Sequence, residues 1–270
     1  MRRKYWIITA IVAAVLVLAL TGWVIWGNLT VGLTTITVLE ENLPHDFHGF
    51  RIAQVSDLHN SFLWKQTVAQ LKKVDPDMIV ITGDLVDSYD PDIALAMEFI
   101  AQAVQIADCY YISGNHEARL PQQTYRDMVS RMREMGVTVL ENTEVHVCRN
   151  DERILISGHS WSERDRIENI GASEDYKILL SHQPDRFDAY AQAGYDLIFT
   201  GHAHGGQFRL PLLGGIFSPG QGLLPKYDSG MYTDGVADMI VSRGIGNSLF
   251  PIRLNNRPEV VLVILEQGER

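Results

Sequence analysis

Five short segments collect side chains that bind metal ions or move protons: Asp57-Leu58-His59, Gly83-Asp84-Leu85-Val86-Asp87, Gly114-Asn115-His116-Glu117, Ser181-His182 and Gly201-His202-Ala203-His204. They hold five of the nine histidines. Any one alone is weak, because an Asp-x-His pair arises by chance and a lone Gly-Asn-His is more often an ordinary turn. Together, each closing a strand-like run, they resist explanation as core packing, since buried His and Asp are costly unless paired or coordinated. The reading is a metal centre. Two divalent ions about 3.5–4 Å apart clamp a phosphate and activate a water between them. Such a pair needs a carboxylate with two free oxygens as a bridge, and Asp84 is the natural candidate. Imidazole and carboxylate ligands together suit Mn, Fe, Zn or similar ions. Asn115 offers a neutral carbonyl oxygen and adds no charge to an anion-rich site. Gly83, Gly114 and Gly201 allow sharp turns and close backbone approach.

Strands and helices must position these groups. Residues 33–39, 50–56, 78–82, 109–113, 177–181 and 196–200 read as strands from their apolar, β-branched runs. All but the first lead directly into one of the polar segments. Between them, residues 64–74, 93–107, 122–135 and 185–193 carry apolar side chains at helical spacing, and the last three start near Pro91, Pro121 and Pro184. Alternating strands and helices argue for βαβ units, whose ligands gather beyond the carboxyl ends of the strands. The last third differs. Residues 144–147 and 153–157 flank Asn150-Asp151 as a hairpin, residues 231–233 and 236–242 flank Asp234-Gly235 as another, and residues 258–266 read as a last buried strand. The mixture predicts two sheets packed together with helices outside.

The first thirty residues stand apart. Residues 7–26 carry no charged side chain, and as a helix they span roughly 30 Å, the hydrocarbon thickness of a bilayer. Trp6, Trp23 and Trp26 sit near the ends, where aromatic rings favour the interface. Arg2, Arg3 and Lys4 precede the run and no charge follows before Glu40, so the positive-inside rule leaves the N-terminus in the cytoplasm and the domain outside it. A cleaved signal peptide and a twin-arginine signal are the alternatives, the first disfavoured by length and the lack of an A-x-A site, the second by a loose match. The division is therefore an anchor over residues 1–30 and a catalytic domain over 31–270, long enough for one large α/β unit. The formal net charge of −10 argues against a nucleic-acid groove, which needs basic surface. Bound cations would still admit a small anionic substrate. Cys109 and Cys148 read as two buried free thiols, with a disulfide possible only between neighbouring strands in an oxidising compartment.

The ordered set D-x-H, G-D-x-x-D, G-N-H-E, H and G-H-x-H resembles the calcineurin-like metallophosphoesterase superfamily over nearly all of residues 50–266. The stretches around Gly205-Gly206-Gln207, residues 219–232 and residues 242–251 further resemble its membrane-anchored bacterial phosphohydrolase branch. The resemblance implies a four-layer αββα sandwich. It implies one metal on Asp57, His59, Asp84 and His204, and a second on Asp84, Asn115, His182 and His202. His116 would contact the phosphoryl group and assist the leaving oxygen, with Asp87 orienting it.

Other residues carry two readings. Glu117 is either a structural hydrogen-bond acceptor or a catalytic group. His45, His48 and His146 read as surface or structural residues, and His159 opens a polar loop to Ser173 that could line the cleft. Arg243-Gly244-Ile245-Gly246-Asn247 either binds a substrate anion or closes a loop. Leu212, Leu213, Ile216, Phe217, Leu223 and Leu224 form either a lipid-facing lip or ordinary loop packing. The expected function is hydrolysis of a phosphoester, phosphodiester or pyrophosphate bond by a metal-activated water. Substrates range from a lipid-linked phosphate to soluble diesters, nucleotides and phosphoproteins. A catalytically dead membrane scaffold would show missing ligands, and none is missing.

Overall fold

The computed structural model describes residues 2–163, 167, 175–247 and 250–268. The expectation of a cleft-lining loop from His159 to Ser173 lies largely outside the described residues. In chain order the elements are α1 (Arg2–Leu29), β1 (Gly32–Glu40), β2 (Arg51–Val55), α2 (Trp64–Val74), β3 (Met78–Thr82), α3 (Ile93–Ala103), β4 (Asp108–Ile112), α4 (Gln122–Glu134), β5 (Thr138–Val139), β6 (Glu144–Arg149) and β7 (Glu152–His159). They continue with β8 (Tyr176–Ser181), α5 (Phe187–Gln192), β9 (Leu197–Thr200), the two-residue strands β10 (Arg209–Leu210), β11 (Gly214–Gly215), β12 (Phe217–Ser218) and β13 (Gly222–Leu223), then β14 (Gly230–Thr233), β15 (Asp238–Val241) and β16 (Glu259–Gln267).

Two six-stranded sheets form the centre, in the orders β1-β16-β2-β3-β4-β5 and β14-β15-β9-β8-β7-β6. β2, β3, β4 and β5 run parallel, as do β7, β8, β9 and β15. Strand alternation sorts the side chains into three cores. Ile52, Val80 and Ile112 from one sheet meet Ile156, Ile178, Leu180 and Phe199 from the other. Val55, Ile79, Ile81 and Tyr111 face the opposite way, onto Leu71, Phe99 and Met132 of α2, α3 and α4. Leu179, Ile198 and Met239 on the outer face of the second sheet pack on Phe187 and Tyr190 of α5 and on Tyr227. The result is a four-layer αββα sandwich whose fourth layer, among the described residues, is thin: α5 and the loops beside it.

The helix expected over residues 185–193 begins as a tight 3₁₀ turn at Pro184–Arg186 and becomes α-helical only over Phe187–Gln192. α3 ends at Ala103, four residues short of the expected boundary. One expectation needs correction. Cys109 is buried but Cys148 is exposed, and both are free thiols. β6 is an edge strand, so Val145 and Val147 pack onto the central core while His146 and Cys148, one residue out of phase, face outward.

α1 is apolar and long enough to cross a membrane, and none of its residues is buried against the domain. Its end is nevertheless tied down. Asn28 Nδ2 donates to Arg253 O, and Asn28 Oδ1 accepts Arg253 N–H, both at 2.8 Å. The Arg257 guanidinium lies over the Trp26 ring at 4.5 Å.

Candidate metal centre

All five segments emerge at carboxyl ends of parallel strands, with Asp57 after β2, Asp84 after β3, Asn115 after β4, His182 after β8 and His202 after β9. The chain bends sharply there. Asp57, Asp84, His59, His202 and His204 all adopt left-handed φ values, between 44° and 64°. Short polar residues tolerate that region best, and strain of this kind gathers at functional sites. The turns interlock. Asp57 N–H donates to Gly83 O and His59 N–H to Asp84 O, each at 3.0 Å. A Cβ on Gly83 (φ 88°) would come within 2.6 Å of Gly114 N, and one on Gly114 would collide with the Asp84 carboxylate. Only glycine lets these two turns meet.

The side chains form two groups. Ligand atoms of Asp57, His59 and His204 lie within 4.8 Å of one another, as do those of Asp84, His182 and His202. Asp84 Oδ2 stands between the groups, 3.1 Å from His182 Nε2 and 3.5 Å from His59 Nε2. Asp84 Oδ1 accepts the His116 N–H at 2.8 Å. Asp84 would thus be the carboxylate shared by both groups, with Oδ1 also holding the backbone of the segment that carries Asn115 and His116. Asp57 is steered by the His202 N–H, 3.2 Å from both its oxygens, and His204 Nε2 is 3.3 Å from Asp57 Oδ1.

These residues fit metal ions. His59 Nε2, His182 Nε2 and the Asn115 side-chain oxygen are buried without a hydrogen-bond partner, a cost that coordination would remove. His182 Nδ1 donates to Thr82 O at 2.7 Å, which leaves Nε2, 3.1 Å from Asp84 Oδ2, to carry a proton or to give its lone pair to a metal ion, with the carbonyl as the supporting partner. Two acceptors facing each other need a cation between them. Burial and the neighbouring positive histidine push the His202 imidazole down to about 4. Burial likewise holds His204 down at about 3. Both are lone-pair donors at neutral pH. Burial raises the Asp57 carboxyl, but His204, His59 and His182 outweigh it and hold Asp57 below the usual carboxylate range.

His116 is placed differently. Its Nδ1 accepts the Ser88 N–H at 2.9 Å, so Nε2 is the nitrogen that carries the proton. Asp87 Oδ1 lies 3.6 Å from the same Nδ1 and itself accepts the Tyr89 N–H at 2.8 Å. Asp87 thus acts on the imidazole by charge and by holding the turn that delivers Ser88. Burial keeps His116 below its ordinary value, a neutral ring with one N–H. Glu117 is a frame residue, buried and accepting backbone N–H groups from Asp84, Leu85 and Gly114.

A cleft of about 570 Å³ opens over the centre and is lined by Asp84, Asp87, Asn115, His116, His202 and His204. Its walls add Tyr89, Arg119, Trp161, Gln183, Arg186, Pro219 and Gly220. Trp161 was not singled out from the sequence. Its ring packs on His202 at 5.0 Å and His182 at 5.8 Å between centroids. The available signal was its place just beyond β7, at the same end of the sheet as His182. His159 turns away and packs buried against Tyr190, 5.9 Å between ring centroids. His45, His48 and His146 are exposed. Arg243 pairs with Glu259 at 3.7 Å, and the backbone that follows props the D-x-H segment, with Ile245 N–H on Ser56 O and Gly246 N–H on Asp57 O. That loop is a buttress.

Comparison with known proteins agrees with this geometry. The family model of the calcineurin-like phosphoesterase matches residues 50–206. The uncharacterized metallophosphoesterase YkuE of Bacillus subtilis is 26% identical over 250 residues, covering 86% of this chain and 85% of that protein. Phosphodiesterase YaeI of Escherichia coli is 27% identical over 225 residues, 80% and 82% of the two chains. The UDP-2,3-diacylglucosamine pyrophosphatase LpxG of Chlamydia trachomatis is 26% identical over 261 residues, 76% and 79%. The chain belongs to the calcineurin-like phosphoesterase family and is a metal-dependent phosphoric ester hydrolase with a two-metal centre.

Proposed function

Within the calcineurin-like phosphoesterases, we propose that this chain is a single-pass membrane enzyme that cleaves a phosphodiester or pyrophosphate bond in a lipid-linked substrate on the extracytoplasmic side. The observation that carries the chemistry is Asp84 Oδ2, set between His182 and His59. Asp57, His59 and His204 would hold one ion and His182, His202 and Asn115 the other, with Asp84 shared. When bound, the ions neutralise phosphoryl charge and supply a water activated for attack. His116 Nε2–H then faces the cleft as the donor to the departing oxygen. Ser88 N–H keeps that proton on Nε2 by occupying Nδ1. Trp161, seated on the His182 and His202 rings, shields one wall from water.

The substrate class rests on the apolar α1 helix and on a relative, LpxG, whose name specifies a lipid-bearing pyrophosphate. The orientation rests on Arg2, Arg3 and Lys4 before the span. A soluble diester is the second reading, favoured by the phosphodiesterase YaeI. A hydrolysis screen of the full chain in vesicles, with lipid-linked pyrophosphates beside a chromogenic diester and a phosphopeptide, separates them. Higher kcat/KM on the lipid substrate is expected, and equal turnover in detergent and in vesicles on soluble diesters alone would refute the lipid reading. A reporter fused after Arg270 reads the orientation, and signal from a cytoplasm-only reporter would reverse it.

A further inference from the structure

The described surface beyond α1 carries two exposed apolar segments that the chemistry does not use. Leu212, Leu213, Leu223 and Leu224 are 61% to 106% exposed, and Phe250 and Ile252 are 46% and 53% exposed. Single exposed leucines are ordinary, but a contiguous patch marks an interaction site. The two segments are joined. The Phe208 ring packs on Phe250 with centroids 5.5 Å apart, and the Phe208 backbone bridges Leu254. Gln207 Nε2 donates to Phe250 O and Ile252 O, both at 2.9 Å. Ile216 N–H then reaches Phe208 O at 2.8 Å, and Leu224 N–H reaches Ile216 O at 2.9 Å.

The patch also adjoins the anchor. Ile252 immediately precedes Arg253, whose backbone N–H and C=O are both bonded to Asn28 at the end of α1. Phe250 is three residues from Arg253 and so at most about 11 Å from it along the chain. Trp23, Trp26, Arg243 and Arg257 line a hollow of about 190 Å³ beside that junction. Tryptophan with arginine at the end of a span is the composition of the headgroup layer.

Leu212 and Leu224 occupy left-handed backbone, φ 69° and 52°. That conformation favours glycine or asparagine, and a leucine held there with its side chain in solvent gains nothing inside the fold. On its other side the same loop borders the cleft, through Pro219 and Gly220.

We propose that Leu212, Leu213, Leu223, Leu224, Phe250 and Ile252 form a membrane-docking face that rests on the bilayer entered by α1 and opens the metal cleft beside the lipid. The proposal rests on the reading of α1 as a membrane span and deepens the lipid-substrate assignment. The occupant is a lipid bilayer because the face continues from the base of the anchor, through Ile252 and the Arg253–Asn28 junction.

The test uses the full chain in phosphatidylethanolamine–phosphatidylglycerol vesicles that contain acyl-chain spin-labelled lipid. A fluorophore is placed on Leu213→Cys or Leu224→Cys in a Cys148→Ser background, where Cys109 is buried and unlabelled. The comparison is the same fluorophore on native Cys148, exposed on the outer edge strand β6. Apolar faces of this kind sit about 5–10 Å into the headgroup–acyl boundary, so the labels at 213 and 224 are expected to lose about half their fluorescence while the Cys148 label keeps its own. Equal quenching at all three positions overturns the proposal. So does crosslinking between copies through 213 without quenching, which assigns the face to a second copy of the chain. Quenching does not depend on turnover. Docking without lipid hydrolysis would therefore count against the substrate class and leave this face standing.

Discussion

The Glu117 carboxylate accepts the backbone N–H of Asp84 at 2.8 Å and that of Gly114 at 2.9 Å through the same oxygen, Oε2. Its other oxygen takes Leu85 N–H at 2.7 Å and Val86 N–H at 3.3 Å. One buried side chain therefore closes both turns that present Asp84 and Asn115. Burial and the charge of Asp84 push this carboxyl up to about 7 despite the N–H groups around it. The acidic character of the residue is thus spent on the frame.

Glu117→Gln should show this. The amide matches in shape but turns an NH₂ group toward backbone donors, so at least one buried N–H loses its acceptor. The expected cost is about 1–3 kcal/mol, with metal content and rate falling together. Calorimetry beside metal analysis reads both. A variant with parental melting temperature and slow turnover would instead make Glu117 a participant in the chemistry.

The two roles assigned around the centre separate by metal content. Asp84→Asn removes the charge of Oδ2, the oxygen between both groups, and should lose metal and nearly all rate. His116→Ala should keep most of its metal and lose about 10²–10⁴-fold in rate. Because Nδ1 is already occupied by Ser88 N–H, Asp87→Asn should cost far less than His116→Ala. Metal analysis on all three variants, with single-turnover rates, checks the division, and a metal-depleted His116→Ala protein would make that histidine a ligand.

Protons stand in for metal at His182. In the metal-free protein burial lowers its affinity for a proton, but Asp84 and Asp57 outweigh burial and raise the imidazole from 6.5 to about 10. The folded value is the higher one, so the stabilisation is complete below about pH 6.5 and fades as pH rises toward 10. A metal must displace that proton. Loading at pH 8 should release protons, and metal affinity should climb with pH across this window. Titration calorimetry in buffers of different ionisation enthalpy measures the release, and none at pH 8 would contradict the pairing of His182 with Asp84.

The strands were legible because the central runs are mostly apolar and buried and each stops at a polar segment, as Met78–Thr82 does before Gly83-Asp84. What escaped is non-local. Trp161 sits in a polar Ser-Trp-Ser-Glu stretch with no periodicity, and only the return of β8 beside β7 brings it over His182. The Asn28–Arg253 pair spans 225 residues and leaves no local trace. Cys148 departs from the expected burial because a short apolar run does not reveal which strand will lie at an edge. Its thiol should react at once with Ellman's reagent at pH 8. Cys109, buried and with its thiol pushed up to about 12 by burial and Asp108, should react only on unfolding. Two fast thiols in the native protein would show that β4 is less enclosed than its packing implies.

The anchor and the catalytic domain meet closer to the metal centre than a boundary at residue 30 implies. Asn28 holds the backbone of Arg253, and the buried Arg253 guanidinium donates to Asn247 Oδ1 at 3.1 Å, to Arg243 O at 2.7 Å and to Gly246 O. Gly246 N–H in turn donates to Asp57 O at 2.7 Å. The end of α1 is thus linked to Asp57 through two residues. Deleting residues 1–25 keeps Trp26 and Asn28, and the protein should remain folded and active on a small chromogenic diester, because every ligand lies beyond Phe50. Deleting residues 1–28 leaves Arg253 N–H and C=O without their partner. Two such bonds contribute about 1–3 kcal/mol, and at roughly 2–4 °C per kcal/mol for a domain of this size the melting temperature should fall by several degrees. Rate on the soluble diester should fall modestly in the shorter form as Asp57 loosens, and hydrolysis of a vesicle substrate should fall in both, since the anchor supplies effective concentration at the bilayer. Thermal melts and diester kinetics on the two truncations decide it. Identical melting temperatures would show that the Asn28 contact is idle and that the domain begins after it.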